Sequence, residues 1–262
     1  MPRRVGALLF LLALAGGVAL GQTPNVARIE RNDTTIVITN EALAENGART
    51  VGNLPCEGVR TSVFLGPPND VEMVIDDETT IRSSIAIIER PQGDEGSEGQ
   101  ETIEMLDGTI VFAPRPPCPE EFIPAEDQTV VLEQGRTTIS ATRFFLDREV
   151  DVAQLEGPIG LRREPEGDAE QLSATADSMT YDLETDRSTL SGNVRVEAGD
   201  RVTEAEKLEL DEAAGLATLT GTPARSVQGE DEIAGNTLLY YLDSNDVIVV
   251  GNVKGELEVD LD

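Results

Sequence analysis

The sequence contains no histidine and no tryptophan, and its 262 residues include only two cysteines. Histidine and cysteine supply most zinc ligands, and histidine is the base of the Ser-His-Asp type of catalytic site, so neither kind of site is expected. A carboxylate pair, as in glycoside hydrolases, is conceivable, but among 50 acidic residues such pairs arise by chance. No glycine-rich phosphate loop is present. We therefore predict that the protein is not an enzyme and uses neither a metal nor an organic cofactor.

Basic residues are also scarce, since 20 Lys and Arg stand against 50 Asp and Glu, which gives a net charge of −30. Such a chain repels the phosphate backbone of nucleic acids and adsorbs poorly to anionic membranes. The charge therefore predicts that nucleic acid is not a partner. Net charge of this size keeps a protein dispersed. The alternative interpretation is weak binding of divalent cations by carboxylate clusters, although no spaced calcium loop is present.

The only long apolar run lies at the N-terminus. Arg3 and Arg4 precede the uncharged stretch 5–20, and small residues occupy the positions three and one before Gln22. This is the layout of a cleavable secretory signal peptide, which we assign to residues 1–21. The run is short for a membrane-spanning helix, and an uncleaved N-terminal anchor is the alternative. The protein is therefore expected to be exported.

The two cysteines, Cys56 and Cys118, have no CxxC partners. In an exported protein, two such residues are expected to form one disulfide bond, and the alternative is a pair of free thiols. The chain-entropy account gives a bond across a loop of this length a stabilisation of about 4 kcal/mol.

Aromatic residues make up only 3% of the chain, so the core must depend on aliphatic side chains. β-Branched runs such as 34–39 and 81–88 predict strands along the whole mature chain. Asp107-Gly108 between alternating apolar residues predicts a tight hairpin, because such a turn needs positive φ angles. We find no convincing long helical period, only a candidate helical turn at 40–48.

The mature chain divides into two regions. Residues 22–127 form an N-terminal β region, and residues 128–262 form a second β region that is built from repeats. The first region contains an acidic, glycine-rich loop at 91–100 and a proline-rich connector at 113–127. The loop has no apolar residue to bury and is expected to be mobile, and the connector is expected to be extended.

The repeat is marked by four glycines about 30 residues apart, Gly157, Gly192, Gly221 and Gly251. Apolar residues stand thirteen, eleven and two positions before each of them. These twelve candidate site residues are Phe144, Leu146, Leu155, Met179, Tyr181, Leu190, Leu208, Leu210, Leu219, Leu238, Tyr240 and Val249.

Each copy is a strand, a short polar turn and a second strand. Apolar and polar residues alternate, so each strand has one buried face and one wet face. The glycine in the second strand suggests a bend or a close approach of backbones. A unit of this size cannot bury its apolar face alone and must stack on its neighbours. The repeats therefore predict a long two-walled β structure, apolar inside and acidic outside.

A resemblance to a known family rests on three short segments, each of which follows an alternating strand such as Ala176-Asp-Ser-Met-Thr-Tyr-Asp-Leu183. The three segments are Leu190-Ser-Gly-Asn-Val194, Leu219-Thr-Gly-Thr-Pro223 and Val249-Val-Gly-Asn-Val253. The chain resembles the OstA-like family, which includes the lipopolysaccharide-transport proteins LptA and LptC and the N-terminal domain of LptD. The resemblance covers residues 137–259.

The resemblance implies an all-β fold, an antiparallel folded-over β jelly roll built from strand-turn-strand repeats. It also implies a location in the periplasm and an interior slot, lined by the twelve candidate residues, that shields acyl chains of lipopolysaccharide or another envelope glycolipid. Open sheet edges would pair with like β-jelly-roll domains. Because a Leu inside a β sandwich is usually plain core, two functions stay open. One is a lipid-binding, bridging component of outer-envelope biogenesis, and the other is a structural or assembly scaffold without lipid.

Overall fold

The computed structural model describes residues 25–31, 34–40, 49–92, 100–126, 129–165, 167, 170–211, 213–242 and 246–256. The assigned signal peptide, most of the candidate helical turn and most of the acidic loop lie outside these residues. Within the described ranges, no helix offers the length and apolarity needed to cross a bilayer.

The described residues form strands throughout, and every strand pair is antiparallel, which confirms the predicted all-β antiparallel class. The strands are β1 (Asn25–Arg31), β2 (Thr34–Asn40), β3 (Arg49–Cys56), β4 (Val59–Leu65), β5 (Val71–Ile75), β6 (Thr79–Ser83), β7 (Ile85–Pro91), β8 (Thr102–Leu106), β9 (Gly108–Phe112), β10 (Pro119–Pro124), β11 (Val130–Gln134), β12 (Thr137–Ala141), β13 (Arg143–Asp147), β14 (Val152–Arg163), β15 (Leu172–Asp182), β16 (Arg187–Ala198), β17 (Arg201–Asp211), β18 (Leu216–Gln228), β19 (Asp231–Tyr241), β20 (Val247–Val250) and β21 (Lys254–Glu256).

The main sheet folds into two walls that share one apolar core. Wall A contains β3, β4, β7, β8 and β13, and wall B contains β1, β2, β5, β6, β11 and β12. β13 pairs with the first half of β14 and β12 with its second half, on either side of a register shift. From there on, β14 to β19 each run through both walls, and β20 and β21 pair with the two halves of β19. We call the line of crossings the bend and the opposite side, where hairpin turns lie, the turn margin.

The N-terminal strands follow the same plan with interruptions at the bend. β6 and β7 are separated there by Ser84 alone, so the predicted single strand 81–88 is divided between the walls. β4 and β5 are separated by residues 66–70, and β8 and β11 by an inserted hairpin. If two half-strands that meet at the bend, such as β6 and β7, are counted as one bent strand, then each bent strand among the described residues pairs only with the bent strand before it and the bent strand after it in the chain. The strands on both sides of the boundary that we assign at 127/128 therefore belong to one sheet.

The four repeat glycines lie at the bend, as their position in the second strand predicted. Gly157, Gly192 and Gly221 sit at the register shifts of β14, β16 and β18, and Gly251 separates β20 from β21. Gly192 has a φ of 78°, which favours glycine. Gly157 is required for a different reason, namely that a Cβ atom at this position would lie only 2.1 Å from the carbonyl oxygen of Asp177.

A third layer covers the outer face of wall A. β9 and β10 form a separate two-stranded sheet, and Ile110, Phe112 and Phe122 pack there on a second cluster that includes Val63 and Ile85. The predicted tight hairpin at Asp107-Gly108 is therefore wrong. β8 pairs with β7 and β13 instead of β9, and Asp107 marks the point where the chain leaves the main sheet.

The disulfide bond between Cys56 and Cys118 is present, as predicted, with 5.8 Å between the Cα atoms. Cys56 ends β3 in wall A, and Cys118 precedes β10 in the covering layer. The bond therefore fastens the covering layer to the edge of the wall.

Removing this bond should loosen the covering layer and destabilise the protein. We expect the Cys56→Ser/Cys118→Ser variant to lose about 2–4 kcal/mol of unfolding free energy in denaturant titrations. The wild-type protein under reducing conditions is the control and should lose a similar amount. Equal stability of the oxidised wild type and the variant would contradict the expectation.

The bend can be tested without touching the core. Gly157→Ala places a methyl group against the carbonyl of Asp177 and should cost about 1–3 kcal/mol, because the backbones must move apart. Gly52→Ala in β3 is the matched control, since the nearest atom, Oγ of Ser62, would be 3.9 Å away. Thermal unfolding of both variants measures the difference, and equal melting temperatures would show that the approach at the bend is not needed.

Candidate functional site

The candidate site is the interior between the two walls. Strand pairing places eight of the twelve predicted residues in one row across wall A, each directly opposite the next. This first row runs Phe144, Leu155, Met179, Leu190, Leu208, Leu219, Leu238 and Val249. Met105 and Ala86 extend it into the N-terminal strands.

A second row lies one inward position nearer the turn margin and contains the other four predicted residues. Each of them alternates with a smaller residue that the sequence analysis did not select. The second row runs Leu146, Ala153, Tyr181, Ser188, Leu210, Ala217, Tyr240 and Val247. The smaller members stand four residues before each repeat glycine, so the same alignment contained their signal.

Wall B faces these rows with side chains that become smaller and more polar from Leu161 to Ser226, before the row ends on Ile233. Its paired row runs Ile81, Leu132, Ile139, Leu161, Ala174, Val196, Thr203, Ser226 and Ile233. Thr203 and Ser226 are buried and bonded to each other, with 2.9 Å between their hydroxyl oxygens. The interior therefore differs in character between its aliphatic N-terminal half and its C-terminal half.

The twelve predicted residues are closely packed. Eleven of them are 0–8% exposed, and Val249 is half-buried against the same core. In this closed arrangement the two walls fill the space between them with their own side chains. Contact of the twelve residues with lipid therefore stays a prediction.

Polar side chains hold the bend, and sequence reasoning missed them. Fifteen residues before each repeat glycine stand Thr142, Asp177, Glu206 and Asn236. Oγ1 of Thr142 donates to the Glu156 carbonyl over 3.0 Å and to the Gly157 carbonyl over 3.2 Å. Nδ2 of Asn193 donates to Oδ2 of Asp177 over 2.7 Å. The Thr142 bonds satisfy backbone carbonyls at the register shift of β14, and the Asn193 bond joins β16 to β15 at their own register shift.

At the turn margin, the walls meet through side chains centred on Tyr181. Its hydroxyl donates to Oδ1 of Asp186 over 2.6 Å. Nε2 of Gln134, at the end of β11 in wall B, donates to the Tyr181 hydroxyl over 2.9 Å and to Oδ1 of Asp186 over 3.0 Å. Burial and the neighbouring carboxylate of Asp186 raise the pKa of Tyr181 above its usual value, so the hydroxyl keeps its proton and can donate. We call Tyr181, Asp186 and Gln134 the latch.

A buried charge lies farther along the turn margin. Arg148 is the next inward residue after Leu146 and is 0% exposed. Its Nη1 lies 2.6 Å from Oδ1 of Asp151, although the orientation does not make a good hydrogen bond. The contact is therefore an ion pair, and Asp151 supplies the charge that keeps the buried guanidinium neutralised.

The outer faces are acidic but locally balanced. Arg143 bonds to Glu104 on one neighbouring strand and to Glu156 on the other. Arg195 likewise lies 3.1 Å from Glu204 of the adjacent strand. Cross-strand pairs of opposite charge stabilise a sheet, so the basic residues sit where carboxylates would otherwise face one another. Among the residues the structure describes, no cluster of His, Cys, Asp and Glu has an arrangement suited to a metal ion.

Comparison with known proteins gives a family match over part of the chain. Residues 127–216 match the family described as LptA/(LptD N-terminal domain) LPS transport protein, which confirms the resemblance to the OstA-like family. Among solved structures, the chain is similar to LptH, the LptA-homologous periplasmic component of the lipopolysaccharide transport device of Pseudomonas aeruginosa. That similarity has 12% sequence identity and a TM-score of 0.35, and it covers 69% of this chain and 95% of that chain. A comparison with curated proteins gave no match.

Breaking the buried ion pair should be costly. Asp151→Asn removes the charge that neutralises Arg148 while suiting the positive φ of this turn position. We expect a loss of about 3–5 kcal/mol of unfolding free energy, because a buried guanidinium is left unpaired. Glu204→Gln, which breaks the exposed pair with Arg195, is the control and should cost about 1 kcal/mol or less. Equal losses in denaturant titrations would contradict a buried charge at Arg148.

Proposed function

We propose that the protein binds acyl chains of an envelope glycolipid between its two walls, with lipopolysaccharide as the first candidate. It would act in the periplasm as a bridging component of outer-envelope biogenesis. The observation that carries the proposal is the first row, which crosses eight strands of wall A with an apolar residue on each. The match of residues 127–216 to an LPS transport family supports it.

Burial of apolar chain supplies the driving force. Each methylene removed from water contributes about 0.8 kcal/mol, so one long acyl chain outweighs many small polar contacts. The net charge of −30 opposes a phosphorylated headgroup. Charges farther than about 8 Å from the headgroup are largely screened at physiological salt. Binding of a lipid tail is therefore compatible with an acidic outer surface.

The partners proposed for the bridge are like β-jelly-roll domains that pair with open sheet edges. β20 pairs with β19, and its other side has no strand among the described residues. Ile248 and Val250 on β20 are exposed, as is Val253 beside it. An unpaired edge with exposed apolar side chains is a template for addition of another strand.

A scaffold that uses the same edges without lipid is the second candidate function. The close packing of the twelve predicted residues favours it, because an ordinary β-sandwich core has the same burial. The two candidates differ in whether the walls can separate to admit an apolar ligand.

A carboxylate in the second row distinguishes them. Leu210 is 7% exposed and lies between the smaller residues Ser188 and Ala217. If lipid enters between the walls, Leu210→Asp should fold, because the interior can hydrate, and it should lose binding of a fluorescent fatty acid. If the interior is a permanent core, an unpaired buried charge should unfold the domain.

Thr180→Asp is the matched control, since Thr180 is exposed on β15 and its carboxylate would face water. It should fold and bind the fatty acid as the wild type does. Thermal unfolding and probe fluorescence are measured on all three proteins. A folded Leu210→Asp variant with undiminished binding would count against the lipid interior, and an unfolded one would favour the scaffold.

A further inference from the structure

We infer that acyl chains enter the interior sideways through the turn margin, at the latch formed by Tyr181, Asp186 and Gln134. This inference rests on the proposed lipid function and adds the place where the walls part. A ligand for the interior needs such a place, because the rows that would line it are closed against each other.

The bend cannot be that place. β14 to β19 cross it as continuous chains, so separating the walls there requires straightening six strands. At the turn margin the latch joins the walls through side chains alone, since Gln134 belongs to wall B and Tyr181 and Asp186 belong to wall A. Side chains can exchange these bonds for bonds to water without any change in strand pairing.

The position along the turn margin follows from packing. Toward the N-terminus, the margin is closed by the wholly buried Arg148 and its ion pair with Asp151. Tyr181, in contrast, lies between the small residues Ala153 and Ser188 of the second row. The Tyr181 ring therefore fills the space beside the small side chains of Ala153 and Ser188. Movement of this one side chain opens the second row at that point.

The latch bonds are of the kind that breaks easily. Asp186 is exposed and Gln134 is half-exposed, so water can replace these two partners as soon as the walls part. Thr79 of wall B also hydrogen-bonds to Tyr181 and is buried, so water reaches this third partner only after the walls have parted. Hydrogen bonds that exchange with water contribute little net stability. The latch therefore keeps the apolar rows covered without ligand and yields to an incoming acyl chain, whose headgroup stays outside beside Asp186.

Tyr181→Phe tests the inference, because it removes the hydroxyl and keeps the ring. Uptake of cis-parinaric acid, a fatty acid that fluoresces in apolar surroundings, is followed by stopped-flow fluorescence. We expect its association rate to rise on the order of fivefold to tenfold over the wild type. Tyr241→Phe is the matched control, since Tyr241 is exposed on β19 and belongs to neither row, and its rate should stay within about twofold of the wild type.

A covalent lock gives the opposite change. Gln134→Cys/Asp186→Cys, joined by a short bismaleimide, should take up the probe at least about tenfold more slowly than the same variant before reaction. Melting temperatures confirm folding, and if the double variant does not fold, the two phenylalanine variants decide. Equal rates for the wild type and Tyr181→Phe, or for the locked and unlocked protein, would overturn the latch while leaving lipid binding in place. Absence of probe binding by the wild type would overturn the proposed function, and the latch with it.

Discussion

The bend is the constraint on which the rest of the structure depends. Each strand of the meander must pass from one wall to the other while keeping its apolar side chains inside. The chain meets this constraint with glycine where backbones approach, as at Gly157, and with polar side chains such as Asp177 that bond to groups outside the sheet pairing. Because the crossing point fixes the register of both walls, it also fixes which residues form the apolar rows.

How much of this could be predicted depended on regularity. In the repeat half, the crossing recurs at nearly constant spacing, so the glycines align and the sequence alone predicts that the twelve residues share one interior. In the N-terminal half the same crossing is made at Ser84, across 66–70 and through an inserted hairpin. Because these interruptions differ in length, the N-terminal sequence shows no constant repeat spacing, although its strands bend between the two walls as those of the repeat half do.

Contacts between distant segments were beyond local patterns. Asp107-Gly108 has the chemistry of a tight hairpin, but the strand after it pairs elsewhere, because wall A already supplies two neighbours for β8. Alternation places Arg148 inward, and only the packed structure shows that Asp151 neutralises it. The bond between Gln134 and Tyr181 joins the two walls, and no local pattern or repeat spacing in the sequence connects these two residues.

The serial pairing of the meander has a consequence for how the molecule holds together. Since each bent strand among the described residues pairs only with its predecessor and its successor, sheet pairing is passed along the chain from neighbour to neighbour, as in repeat proteins. Such an array opens from its ends. The last described bent strand, β20 with β21, pairs with β19 alone, so it can detach and reattach while the other strands stay folded. The edge that is open to a partner strand is therefore also an edge that frays.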